Sequence, residues 1–337
     1  MVTSERGPTS TRRSDGERFL GVDVGGTSIK WSVLRAGVLE ASGSVATPRV
    51  DQHAVVKAVA ALVDSQEGLA GVGLAVPGTV DPVRRSTILV PNLPGDWNNF
   101  GVAGELEQLC GLPVGCLNDA RAFAWAEHTS GSAQGVSNAL FITLGTGVGG
   151  AIAFRDEILV GKLDSVGEMG HVPIDARGEL CMCGGRGCLE TVASGTAIVS
   201  RLSRTVALDQ SPILRELTQH GAVPLTAQIA AEAARLGDPW AKEAFDRAGD
   251  ALGQAASMIG LLLQLEVVVI GGGLGPATDL FLPQVQQTLD ARTSLTGRIE
   301  ARRARYGTEA GSIGAANFAA EHATSTPTET PKERILP

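Results

Sequence analysis

The chain has 337 residues, 43% of them apolar and 19% charged, with 28 basic against 36 acidic side chains and a formal charge of −8. That length exceeds one ordinary compact core and predicts two lobes, while the apolar content excludes global disorder. The acidic balance and the scarcity of aromatics, with a single Tyr, argue against a nucleic-acid footprint or a stacking platform.

The longest apolar stretch, Met258 to Ile270, is broken by Gln264 and Glu266. It falls well short of the ~20 residues a membrane span needs. Arg12-Arg13 is followed by Asp15, Glu17, Arg18 and Asp23 rather than by an apolar core, so no export signal is read. Five cysteines, three of them between 181 and 188, fit metal ligation in a reducing cytoplasm better than a disulfide framework.

In chain order, residues 1–17 are Ser/Thr/Arg/Gly-rich and are expected to be a disordered tail, as is the Thr/Pro-rich segment 323–337. Phe19–Val24, Ile29–Arg35 and Val38–Ala46 read as three strands. Ala54–Asp64 carries a helical apolar face, and Gly71–Val76 is a strand ending in a Pro77-Gly78 turn. A short helix over Gly104–Cys110 and a strand over Val114–Leu117 follow. The second half opens with a helix over Ala120–His128 and two strands, Asn138–Leu144 and Gly149–Phe154. Pro239–Gln264 is a long helix, and Glu266–Ile270 a strand after it. Strand, glycine-rich turn, strand occurs at 19–35 and again at 138–154, which implies two related α/β lobes with a cleft between them.

Three glycine-rich turns suit a nucleotide. Asp23-Val24-Gly25-Gly26-Thr27-Ser28-Ile29-Lys30 runs from strand into strand; its glycines admit backbone amides to an anion, Thr27 adds a hydroxyl, and Asp23 could hold magnesium through water. The alternative is an ordinary hairpin. Gly145, Gly147 and Gly150 match the dinucleotide fingerprint literally, but a strand follows where that motif needs a helix, so a phosphate hairpin including Thr146 remains. Gly271-Gly272-Gly273 after a strand suits adenosine, or is a plain strand-to-helix turn.

His171, Cys181, Cys183 and Cys188 offer one imidazole and three thiolates, the donor set of a closed structural zinc site. The competing reading is three free thiols on a Gly-rich loop. Asn118-Asp119 stands where a strand becomes a helix: a general base in the cleft, or a helix cap. Glu168 and Glu190 flank the metal loop and could accept sugar hydroxyls, or lie on the surface.

Together these pieces resemble the ROK family of sugar kinases and regulators. DVGGTSIK (23–30), the Pro77-Gly78 turn, LNDA (117–120) and LGTGVGG (144–150) match, and GEMGHVPIDARGELCMCGGRGCLE (167–190) is similar to the family's ExGH element followed by CxCGxxGCxE. The resemblance spans about residues 18–322. It implies a two-lobed actin-like, ribonuclease-H-like ATPase fold, with an N-terminal lobe of 18–117 plus 311–322, a second lobe of 118–310 carrying the zinc loop, and a cytoplasmic homodimer.

It further implies ATP-dependent phosphorylation of a hexose, glucose by default, at the 6-hydroxyl. Asp119 would be the base, with Gly78, Asn92, Asn118, Glu168, His171 and Glu190 around the sugar. ATP would lie on Asp23, Gly25, Gly26, Thr27, Lys30, Gly145, Thr146, Gly147 and Gly271–Gly273, with Mg2+ on its phosphates and Zn2+ on His171, Cys181, Cys183 and Cys188. An amino-sugar kinase, acting on kanosamine or N-acetylmannosamine, is the alternative. A sugar-responsive regulator is the remote one, because the stretch ahead of Phe19 is too short for a three-helix DNA-binding unit. Arg121 departs from the family's second Asn, with local packing rather than catalysis as the expected consequence.

Overall fold

The computed structural model describes residues 16–90, 92–161, 165–206, 210–295 and 297–322. The tails expected at either end lie outside the described residues, apart from Gly16 and Glu17. Among the described residues, no helix is long and apolar enough to cross a membrane.

The first half contains β1 (Arg18–Val24), β2 (Ser28–Arg35), β3 (Val38–Ala46), α1 (Gln52–Asp64), β4 (Leu69–Val76), β5 (Thr79–Asp81), β6 (Ser86–Leu89), α2 (Val102–Cys110) and β7 (Val114–Asn118). A long helix, α3 (Asp119–Thr129), then leads to β8 (Ala139–Leu144), β9 (Val148–Phe154) and β10 (Glu157–Ile158). After the cysteine loop come α4 (Glu190–Ala193), α5 (Gly195–Thr205), α6 (Pro212–Leu217), α7 (Ala227–Arg235) and α8 (Pro239–Leu263). The chain closes with β11 (Val267–Gly271), α9 (Thr278–Arg292), β12 (Glu300–Arg303) and α10 (Ala310–His322).

Two five-stranded sheets result, β3-β2-β1-β4-β7 and β10-β9-β8-β11-β12. Each is built round an antiparallel hairpin whose first strand pairs in parallel with the next. The echo seen in the sequence is thus a repeated sheet order, as expected of the two-lobed actin-like fold. One core lies under the first sheet, with Leu20, Val22, Leu74 and Leu106 at its centre. A larger one, including Leu140, Ile270, Phe245 and Phe281, lies under the second.

Between the sheets run α3 and α10, and glycines decide how closely they approach. Gly21, Gly73 and Gly115 are register partners on β1, β4 and β7. A Cβ on Gly21 would collide with Ser312 and Ala316, one on Gly73 with Ala315, and one on Gly115 with the Phe318 ring. The three glycines therefore cut a trough across the sheet that seats α10. Gly314 lets α10 meet α3 in the same way, its Cβ position blocked by the Ala122 carbonyl. Phe19, Phe123, Phe141 and Ile313 form a shared apolar layer that ties both sheets to this helix pair.

The long helix α8 starts at Asp238, whose carboxylate accepts from the Ala241 amide at 2.8 Å, with Pro239 at the first helical position. It ends at Gln264, which takes a left-handed φ of 51°. Its buried face is largely Ala and Gly, so that α9 approaches closely at Gly249 and Gly253. The hairpin β5–β6 and the helices α5, α6, α7 and α9 were not anticipated from the sequence, nor were β12 and α10.

Candidate active site

Asn118 ends β7 and caps α3. Its Oδ1 accepts from the Ala120 and Arg121 amides at 2.9 and 3.2 Å, and its Nδ2 donates to the Gly78 carbonyl at 2.6 Å and to Asp119 Oδ1 at 2.9 Å. The cap reading of the sequence therefore applies to Asn118, and Asp119 is left as the first residue of the helix. Asp119 is exposed as a residue, and its Oδ1 accepts from Asn118 Nδ2 at 2.9 Å and from the Ala120 amide at 2.8 Å. Desolvation pushes its pKa up, and the nearby Glu168 charge adds to this; hydrogen bonds from the Ala120 amide and Asn118 oppose it.

Asp23 stands at the end of β1, in register with Lys30 on β2. Its Oδ2 lies against Gly311 at the start of α10, where a Cβ would be 2.5 Å away. Burial first, then the Asp119 charge, push its pKa up to about 6, against the pull of Lys30. Lys30 itself donates to the Thr308 carbonyl at 3.1 Å. The Gly25–Thr27 turn is braced by Thr47, which the sequence did not single out. Thr47 Oγ1 donates to the Gly25 carbonyl at 2.6 Å, and its amide donates to the Thr27 carbonyl at 3.1 Å. Asn92, exposed and at a left-handed φ of 64°, rests its backbone on Gly26. Trp97 anchors the loop that carries Asn92: its indole donates to the Pro94 carbonyl at 2.8 Å, and its own carbonyl accepts from Thr87 Oγ1.

The cysteine loop converges. The ligand atoms of His171, Cys181, Cys183 and Cys188 all lie within 4.8 Å of one another. His171 Nδ1 is 3.7 Å from Cys181 Sγ, and Cys183 Sγ is 3.6 Å from Cys188 Sγ. Tetrahedral zinc with bonds of about 2.0–2.3 Å spaces its ligands at roughly such distances, so the donor set fits the ion. Glu168 immediately precedes the Met169–His171 turn, whose buried Met169 packs against Gly150 of β9. Gly167, at φ 95°, lets this turn lie on the backbone of β9. Gly149 in turn sits beside Ala120, which brings the β8–β9 hairpin to the foot of α3.

The second glycine turn opens on a cavity of about 500 Å3. Gly145, Thr146, Gly195, Thr196, Gln228 and Gly273 line it. The N-terminus of α5, capped by Ser194, opens onto this cavity, where its dipole favours an anion. Of the third glycine run, Gly273 faces the cavity. Gly271 is instead the last residue of β11, packed on Phe123 and Ala304, and Gly272 at φ 87° crosses the Leu144 backbone. Gly147 meets Glu190 rather than the cavity.

The ROK family model matches residues 19–322. The chain belongs to the ROK family. Over 310 residues it is 34% identical to a glucokinase of Halalkalibacterium halodurans, covering 88% of this chain and 93% of that one. It is 31% identical to an N-acetylmannosamine kinase of Yersinia pestis, with 89% and 97% covered. A crystal structure of a ROK family glucokinase from Streptomyces griseus, in complex with glucose and AMPPNP, superposes with a TM-score of 0.78 at 31% identity, over 90% of this chain and 99% of that one.

In this ROK protein the wall formed by Thr196, Val199, Ser200 and Gln228 escaped the sequence reading. Its available signal was Ser194-Gly195-Thr196, a helix start with a capping serine. Arg121, where the resemblance led us to expect Asn, is buried, and its Nη1 donates to the Val160 carbonyl at 3.3 Å.

Proposed function

We propose that the protein transfers the γ-phosphoryl group of ATP to the 6-hydroxyl of a hexose, D-glucose, giving glucose 6-phosphate and ADP. The observation that carries this reading is the Asp119 carboxylate at the first position of α3, held by Asn118 and close enough to Asp23 and Glu168 for their charges to act together. Asp119 takes the proton from O6 as O6 bonds to the γ-phosphorus. The bond from that phosphorus to the β–γ bridging oxygen breaks, and its electrons leave with ADP. Positioning and charge stabilisation supply most of such catalysis.

Glu168, His171, Glu190, Asn92 and Gly78 are the proposed surround of the sugar, with Asn118 orienting the base. The nucleotide is assigned to Asp23, Gly25–Thr27 and Lys30 on one lobe, and to Gly145–Gly147 and the cavity ending at Gly273 on the other. Magnesium, held through water by Asp23, would neutralise phosphate charge. Zinc on the Cys3His set would fix the loop bearing Glu168 and Glu190, outside the chemistry. We place the lobe boundaries at 18–117 with 311–322 and at 118–310, and we infer a cytoplasmic homodimer.

The glucokinase relatives support glucose. The N-acetylmannosamine kinase relative supports the second reading, an amino-sugar kinase on the same site. The test is ADP release from magnesium-ATP across glucose, kanosamine, glucosamine, mannose, fructose and N-acetylmannosamine. Glucose is expected to lead in kcat/KM by about tenfold or more, the scale at which one pocket contact discriminates. An amino sugar in the lead would transfer the assignment to the second reading.

A further inference from the structure

The segment that leaves the cysteine loop touches the second glycine turn at three points. Glu190 Oε2 accepts from the Val148 amide at 2.9 Å. The Gly195 amide donates to the Gly145 carbonyl at 2.8 Å, and Thr196 Oγ1 donates to the Thr146 carbonyl at 2.8 Å. A Cβ on Gly147 would stand 2.5 Å from Glu190 Oε2, so that glycine is what lets the carboxylate close over the turn. Glu190 follows Cys188 by two residues and is half-buried. Among the described residues, its Oε1 makes no hydrogen bond.

We propose that Glu190 is a positioning residue that couples the sugar pocket to the nucleotide turn. One carboxylate oxygen holds the Val148 amide, and the other accepts a sugar hydroxyl. The inference rests on the sugar-kinase reading and deepens it. A sugar hydroxyl on Oε1 removes the rotamer freedom of Glu190, so the Val148 contact then forms at a smaller entropic cost. Linkage makes the effect reciprocal: each ligand tightens the other by the same factor. Sugar on Oε1 therefore raises the fraction of molecules in which the turn is held for nucleotide, which disfavours hydrolysis of ATP in its absence.

The test measures the Kd of an unreactive ATP analogue with magnesium, without and with saturating glucose, by calorimetry. In the wild type, glucose tightens the analogue by about tenfold, within the usual span of coupling. Glu190→Gln keeps most of this coupling, because its amide oxygen still accepts from Val148 and its amide nitrogen can donate to the same sugar hydroxyl. Glu190→Ala loses it, and binds the analogue more weakly even without sugar. Gly147→Ala displaces the carboxylate while leaving the cysteine loop untouched, and loses the coupling too, which covers the case of a Glu190→Ala chain that fails to fold. Glucose and analogue that both bind the wild type independently, or a Glu190→Ala protein that couples as the wild type does, overturn the proposal. A wild type that binds no sugar at all overturns the sugar-kinase reading itself, and is told apart by that missing sugar isotherm.

Discussion

The side-chain amide of Asn118 donates to the Gly78 carbonyl at 2.6 Å, tying the end of β7 to the turn that follows β4. With Asp119 Oδ1 and two amides of α3 also engaged, both donors and both acceptor positions of Asn118 are used within the protein. A residue expected from family resemblance to hold the sugar is therefore a clamp on the base in this state. Asn118→Ala should lower stability by about 1 kcal/mol, the worth of a helix cap. It should also reduce kcat more than it weakens sugar binding. Thermal unfolding, with kcat and the sugar Kd measured side by side, checks both; a loss confined to sugar affinity would return Asn118 to the sugar.

Two carboxylates predict the pH profile. Asp23, with its pKa pushed up to about 6, and Asp119, also raised, are both protonated in acid and ionised above. The proposed chemistry uses the ionised forms, so kcat/KM should climb as pH rises through about 6 and then level off. The effect on folding has the opposite sign. A folded-state pKa above the ordinary 3.8 means that protonation favours the folded chain. That contribution is complete below 3.8 and is lost as pH rises through about 6. Asp23→Asn should therefore gain in Tm relative to the wild type across this window, and parallel Tm–pH curves would contradict the assignment.

The cysteine cluster predicts one zinc per chain. Cys183→Ser should lose the metal and, with it, the placement of Glu168 and Glu190, so sugar affinity should fall together with metal content. Elemental analysis alongside a sugar-binding isotherm tests this. A zinc-free protein of full affinity would remove the structural role.

Glu127 is wholly buried near the end of α3, where it accepts from the amides of Ser132, Arg305 and Tyr306 at 2.8 to 3.0 Å. It locks the chain entering α10 to the end of α3. Glu127→Ala strands three amides and should cost about 3 kcal/mol in urea unfolding. A loss below 0.5 kcal/mol, the ordinary range for surface changes, would show that water replaces the lock.

Strong periodicity made eight of the ten strands of the two large sheets and α8 readable from the sequence, the short edge strands β10 and β12 excepted. The four candidate metal donors were legible because thiolate and imidazole in one short loop have few other uses. The helices α5 and α7 are clearly amphipathic and were passed over between the cysteine loop and α8, while α6 has only six residues and shows no full period. Nor could the trough be read: Gly21, Gly73 and Gly115 are scattered in sequence, and only strand register aligns them. At Asn118-Asp119 the sequence offered cap or base, and could not show that Asn118 takes the cap and leaves Asp119 as the first residue of the helix. Glu190 looked like a sugar ligand or a surface charge, because its bond to Val148 depends on a hairpin 42 residues away.

The central claim is that Asp119 takes the proton from the sugar hydroxyl, and the most direct measurement is glucose-dependent ADP release by the wild type and by Asp119→Asn, with the glucose Kd of each. The account predicts a loss of kcat by a factor of about 10²–10⁴ or more, with glucose affinity nearly unchanged. Asp119→Asn that turns over like the wild type, or that loses binding and turnover equally, would contradict it.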